Sequence, residues 1–165
     1  MAIITKKDFI KIRQKHSDKK IVYCDGSFDL THAGHVLFFE EGKSMGDVLV
    51  VGVGADSDIK KYKGKTRPIL NQSVRLKTID SLKPVDYSFL NKLPSQKNLL
   101  SHLEVNFNKL KPDVYLINED AFNIEYRKKI SKKYSVKIVM AHRVCPPNFD
   151  KISTSKIIDK IKRLD

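Results

Sequence analysis

Apolar positions along this chain follow two alternating rhythms. Short runs at Ile21-Val22-Tyr23-Cys24, Val48-Leu49-Val50-Val51-Gly52-Val53 and Val114-Tyr115-Leu116-Ile117 read as strands buried on both faces. The first of them takes in Lys20, and Tyr87 to Leu90 and Val136 to Met140 add two weaker strands. Between them, apolar residues recur at helical spacing from about His35 to Ser44, Asp56 to Tyr62, Asn71 to Leu82, Gln96 to Leu110 and Ile124 to Tyr134. Asn71 is placed as an N-cap, and Ser153 caps a last helix reaching Arg163. Phe9, Ile10 and Ile12 among lysines predict a short leading helix over Thr5 to Lys15, within a helical segment 1–19. Strands alternating with helices of this length predict a three-layer α/β unit whose parallel five-stranded sheet is wound by right-handed crossovers. No internal repeat divides it, so residues 1–165 are read as a single domain.

Composition narrows the setting. The longest apolar run, Val48 to Ala55, is too short to span a bilayer, and Met1 to Lys7 has neither an apolar signal core nor a cleavage site. A cytoplasmic protein is expected. Cys24 and Cys145 form no metal-type pair and no disulfide framework, and Cys24 fits a strand core. The net charge of +13 invites a nucleic-acid reading, but the lysines are spread along exposed helix faces such as Arg127-Lys128-Lys129. No aromatic-interleaved basic block accompanies them, so the charge suits solvation and attraction of small polyanions.

The densest chemistry lies at Gly26-Ser27-Phe28-Asp29-Leu30-Thr31-His32-Ala33-Gly34-His35, where a strand hands over to a helix. In an open parallel sheet, ligands bind at the carboxyl ends of strands, and a helix N-terminus there offers free N–H groups to an anion. Gly34 opens the backbone to a close approach. Two histidines without Cys, Asp or Glu at ligand spacing fit phosphate contacts better than a metal centre.

These residues resemble the HxGH region of the cytidylyltransferase-like nucleotidyltransferases. The likeness continues through Met45 to Val53 and Tyr62-Lys63-Gly64-Lys65-Thr66-Arg67-Pro68-Ile69, which resemble heptose 1-phosphate adenylyltransferases. Ile152-Ser153-Thr154-Ser155 is similar to the carboxyl-terminal motif of glycerol-3-phosphate cytidylyltransferases. The resemblance implies a three-layer α/β/α Rossmann-like fold. It also implies transfer of a nucleoside monophosphate from CTP or ATP to a phosphorylated sugar or polyol, with pyrophosphate released. His32, His35, Lys63 and Arg75 are then the catalytic group, with Lys65 and Arg67 in the same cationic stretch. Gly26, Ser27, Phe28, Asp29, Gly34, Asp120, Ile152, Ser153, Thr154 and Ser155 bind nucleotide. Mg²⁺ accompanies the triphosphate, no protein metal site is implied, and a homodimer is expected. A phosphomonoester is already largely dianionic near neutral pH, so its attack needs no general base.

The chain departs from its relatives at Asn118-Glu119-Asp120, where heptose-type members carry Gly-Gly-Asp. That change tips the base towards CTP. The stretch from Arg143 to Asp150 is longer and richer in proline than usual, though Arg143 could still reach the phosphates. Segments 91–101 and 122–126 are the expected walls of the acceptor pocket. His16, His102 and His142 read as surface or packing residues. The alternatives are an adenylyltransferase of heptose-phosphate, flavin or pantetheine type, and a non-catalytic nucleotide- or nucleic-acid-binding module.

Overall fold

The computed structural model describes residues 2–94, 98–141 and 145–164. Its elements run β1 (Ala2–Ile4), α1 (Phe9–Lys15), β2 (Ile21–Gly26), α2 (Ala33–Ser44), β3 (Val48–Gly54), α3 (Asp56–Lys63), α4 (Gln72–Asp80), β4 (Tyr87–Asn91), α5 (His102–Leu110), β5 (Val114–Asn118), α6 (Ile124–Lys133), β6 (Lys137–Ala141) and α7 (Thr154–Ile161). The strands form one sheet in the order β1-β4-β3-β2-β5-β6, and every neighbouring pair is parallel.

The sheet has six strands rather than the five expected. The extra one is β1, which pairs Ala2 with Tyr87 and Ile4 with Phe89 along the outer edge of β4. Three residues with Ile3 turned to solvent carry no readable alternation, and only the neighbouring strand makes them a strand. The leading segment is accordingly a strand followed by a helix that starts at Phe9, later than expected. The start of the predicted helix at Gln96 lies outside the described residues; its described part is α5.

Strand periodicity sorts the core into two layers. Ile21, Tyr23, Val48, Val50, Tyr115 and Ile117 face Phe9 and Ile12 of α1, Leu103 and Phe107 of α5 and Ile130 of α6. Val22, Cys24, Leu49, Val51 and Leu116 face Phe38 and Phe39 of α2 and Ile79 of α4. Burial on both faces explains why β2, β3 and β5 read as unbroken apolar runs. Among the described residues no helix is long and apolar enough to cross a membrane.

Chain direction sets the place of the site. From β2 the chain builds outwards through β3 to β4, then crosses back to lay β5 on the other side of β2. The crevice beyond the carboxyl ends of β2 and β5 is therefore the topological switch point, where open α/β sheets bind ligands.

Candidate active site

One cavity of about 1260 Å³ opens at that switch point, large enough for a nucleotide and a second small molecule together. Its lining draws on the β2–α2 turn, the end of α3, the loop after β5 and the start of α7.

The turn after β2 is built under tension. Phe28 and Leu30 both take the left-handed φ of 46°, which costs a residue with a Cβ about 1–3 kcal/mol. Between them, Asp29 is only 1% exposed. Its carboxylate accepts from the N–H groups of Ile69 (2.8 Å) and Leu70 (3.0 Å) and from Arg67 Nε (3.2 Å). Charge-assisted bonds of this kind outweigh the conformational cost and tie the turn to the loop that follows α3. Asp29 thus orients the backbone at Ile69 and Leu70. Gly26 is required because a Cβ there would lie 2.9 Å from the Phe28 ring.

His32 caps α2, its Nδ1 accepting from Gly34 N at 3.1 Å. The His32 and His35 rings stack at 4.0 Å between centroids, and Phe28 meets His35 edge-on at 5.5 Å. A Cβ on Gly34 would come within 3.0 Å of the His32 ring. The close approach that glycine allows is thus made first by a histidine of the same motif.

The Ser-Thr stretch is joined to this turn across 125 positions. Thr154 Oγ1 donates to the Asp29 carbonyl at 2.8 Å, and Ser153 Oγ caps α7 by accepting from Lys156 N at 3.2 Å. A cap of this kind leaves the first N–H groups of a helix, those of Thr154 and Ser155, open to another partner. Ile152, Ser153, Thr154 and Ser155 all line the cavity with His32 and His35, so the N-termini of α2 and α7 face one space.

The expected cations separate sharply. Lys63, at the end of α3, lines the cavity, its ammonium 5.8 Å from the centroid of the Tyr62 ring. Burial and neighbouring Arg67 lower its pKa, while Asp29 and Asp120 oppose that shift. Arg67 also lines the cavity, and Lys65 does not. Arg75 is not brought to the cavity at all. It is wholly buried, donating from Nε to the Leu70 carbonyl (2.9 Å), from Nη2 to the Gly54 carbonyl (2.7 Å) and Asp56 (2.6 Å), and from Nη1 to the Ser27 carbonyl. A guanidinium saturated by carbonyls at the ends of β2 and β3 is a structural clamp, which corrects the expectation of direct phosphate contact.

Asp120 lies in the lining beside Asn118 and Glu119. Arg143 and His142 fall outside the described residues. His16 is a packing residue, bonded to the Tyr87 hydroxyl at 3.0 Å.

A buried polar network at the inner end of the cavity had no local signal in the sequence. Asp25, last but one in β2, receives His102 Nε2 at 2.5 Å and the Tyr115 hydroxyl at 2.8 Å, with Arg127 Nη1 at 3.5 Å. Burial opposes ionisation of Asp25, but His102, Arg127 and Tyr115 outweigh it and hold its carboxyl well below the usual range. Arg127 was read as part of an exposed basic run, yet its side chain is 11% exposed and bonds to Tyr115 and to the Phe122 carbonyl. A carboxylate closing an otherwise apolar strand was the one hint available. Asn91, Leu93, Leu99, Leu100 and Phe122 also line the cavity, within or beside the segments expected to shape an acceptor pocket.

Among the described residues no three His, Cys, Asp or Glu side chains are grouped to hold a metal ion. Asp25 and Asp29, both at the cavity, are already engaged by protein donors.

A doubly wound α/β sheet whose switch point gathers two helix N-termini, a histidine pair and a lysine at a helix end defines a nucleotide-binding type of α/β protein. The chain belongs to the cytidylyltransferase-like family, whose model matches residues 23–160. It is 33% identical over 154 residues to the bifunctional protein HldE of Helicobacter pylori (strain P12), covering 93% of this chain and 30% of that protein. Over 69 residues, or 42% of this chain and 14% of the relative, it is 54% identical to the bifunctional protein HldE of Aliarcobacter butzleri (strain RM4018). The chain thus spans less than a third of the length of these relatives. The crystal structure of the lipopolysaccharide core biosynthesis protein from Thermoplasma volcanium GSS1 superposes with a TM-score of 0.63 at 32% identity, covering 77% of this chain and 99% of that one.

Proposed function

We propose that this chain is a nucleotidyltransferase that moves a nucleoside monophosphate from CTP to a phosphorylated sugar or polyol. In this reading an acceptor phosphate oxygen attacks the α-phosphorus, the bond to the β-phosphate breaks, and pyrophosphate leaves. The observation that carries it is the 2.8 Å bond from Thr154 to Asp29, which sets the HxGH turn and the Ser-Thr helix start on one wall. His32, His35 and Lys63 neutralise charge on the triphosphate as it builds on the leaving oxygens, and the N–H groups of Thr154 and Ser155 hold its phosphates. Gly26, Ser27, Phe28, Asp29, Gly34, Asp120 and Ile152 shape the nucleotide's seat, with Arg75 fixing Ser27 from behind. No general base is needed, because the acceptor phosphate arrives ionised, and rate comes from position and electrostatics. Mg²⁺ enters bound to the triphosphate, as part of the substrate.

ATP is the second reading, favoured by the likeness of residues 45–69 to heptose 1-phosphate adenylyltransferases. A homodimer belongs to the same proposal and rests on the family resemblance. The test is a panel of each nucleoside triphosphate against sugar and polyol phosphates, following pyrophosphate. Release that requires both partners is expected. Absence of turnover with every pair, together with tight salt-sensitive RNA binding, would replace the enzyme with a binding module.

A further inference from the structure

At its inner end the cavity carries a polar group set that phosphate binding leaves unused. Asp25, Asn91, His102 and Arg127 line it there, contributed by β2, β4, α5 and α6. Asp25 is saturated. One carboxylate oxygen takes His102 at 2.5 Å, and the other takes the Tyr115 hydroxyl at 2.8 Å and Arg127 at 3.5 Å. Asn91 Nδ2 and Asn106 Nδ2 converge on the Tyr23 hydroxyl at 3.3 and 2.9 Å, and Asn106 also donates to Asn91 Oδ1 at 3.2 Å. The frame is therefore fixed from four directions. Arg127 is held in it through Nε, on the Phe122 carbonyl at 2.8 Å, and through Nη1, on Tyr115 and Asp25. Its Nη2 is different: among the described residues it donates to nothing, though the side chain borders the cavity.

Resting on the nucleotidyltransferase reading, in which the acceptor is a phosphorylated sugar or polyol, we propose that Arg127, positioned by Asp25, binds that acceptor by donating from Nη2 to one of its hydroxyls. A guanidinium whose fork is held through its other two nitrogens presents the spare one to a hydroxyl oxygen from a fixed position. A cationic amine would have to sit against Arg127 while the buried carboxylates of the lining there, Asp25 and Asp58, already accept from His102 and from Leu93 N. A second anion would lie beside buried Asp25, and the acceptor's own phosphate is drawn instead to the wall of His32, His35 and Lys63. Neutral hydroxyls alone match what the inner end has left to offer. Asp25 does not touch the acceptor in this account; it is a positioning residue.

The experiment measures steady-state pyrophosphate release by the full chain, with the preferred triphosphate saturating. The acceptors are heptose 1-phosphate and glycerol 3-phosphate (hydroxyl-bearing), phosphoethanolamine (cationic) and 3-phosphoglycerate (anionic). At least about tenfold higher kcat/KM is expected for the better hydroxyl-bearing acceptor than for either charged one. Arg127→Gln is expected to raise the KM for that acceptor at least about tenfold while the KM for the triphosphate stays within about twofold. Should Arg127→Gln fail to fold by circular dichroism, Arg127→Lys keeps the charge beside Asp25, removes the fork, and must give the same split. Equal use of phosphoethanolamine or 3-phosphoglycerate overturns the proposal. So does an acceptor KM that is unchanged, or that rises only in step with the triphosphate KM. Turnover by the unmodified chain with any pair keeps the enzyme reading intact whichever way the Arg127 split falls, whereas no turnover with any pair ends both.

Discussion

The two ends of the cavity are built on opposite principles. At the wall, donors of α3 and α7 stand ready: the Lys63 ammonium lies over the Tyr62 ring, and the α7 cap leaves the first N–H groups of that helix available. At the inner end, Asp25 alone collects His102, Tyr115 and Arg127, and among the described residues one nitrogen of Arg127 is spare. The contrast follows from the work proposed for each. A wall that follows charge from a triphosphate to a departing pyrophosphate needs donors free to take it up. A pocket that tells one carbon skeleton from another needs a frame that does not yield when the wrong one enters.

The largest effect is expected behind the wall. Arg75→Met removes four donor contacts of a wholly buried guanidinium, taking a partner from Asp56 Oδ1 and from three carbonyls, so unfolding free energy in urea should fall by about 3–5 kcal/mol. A loss below 1 kcal/mol would mean that Arg75 is not the clamp described. Next comes His35→Ala, which should lower kcat at least about a hundredfold with the circular dichroism spectrum unchanged. Near-normal turnover in a folded variant would remove that histidine from the wall. Ser153→Ala takes away one cap bond, costing about 1 kcal/mol of stability, and the KM for the triphosphate should rise while that for the acceptor holds.

The smallest effect lies at the inner end. Asp25 has a folded-state pKa below its unfolded value near 4. Its contribution to stability is complete above about pH 4 and is lost as pH falls from there through the folded value. Urea midpoints between pH 7 and pH 3 should therefore decline less steeply in Asp25→Asn than in the unmodified chain. Equal slopes would show that the carboxylate is not held ionised by its partners.

How much of this was legible follows the same divide. The wall was readable because its parts are local: Ser153 is a cap that accepts from an N–H three residues on, and Asn71, capping α4 away from the wall, was legible for the same reason. The HxGH turn declares itself within ten residues. The central strands were readable because burial on both faces leaves an unbroken apolar run. Arg75 was found but misplaced, since a helix position says nothing of which way a buried guanidinium turns. Asp25, His102 and Arg127 escaped because their contacts span 77 and 102 positions, and a lone arginine in a basic helix is indistinguishable from surface charge. β1 escaped because three residues cannot show a period, and only the edge of β4 makes them a strand.

The central claim is nucleotidyl transfer onto an acceptor phosphate at this shared cavity, and its product is the most direct witness. With ¹⁸O in the phosphate of heptose 1-phosphate or glycerol 3-phosphate and CTP or ATP as donor, ³¹P NMR should show a new P–O–P anhydride carrying ¹⁸O in its bridge, formed one for one with pyrophosphate. Inorganic phosphate or nucleoside monophosphate appearing without that bridge, or no product from either triphosphate, would contradict it.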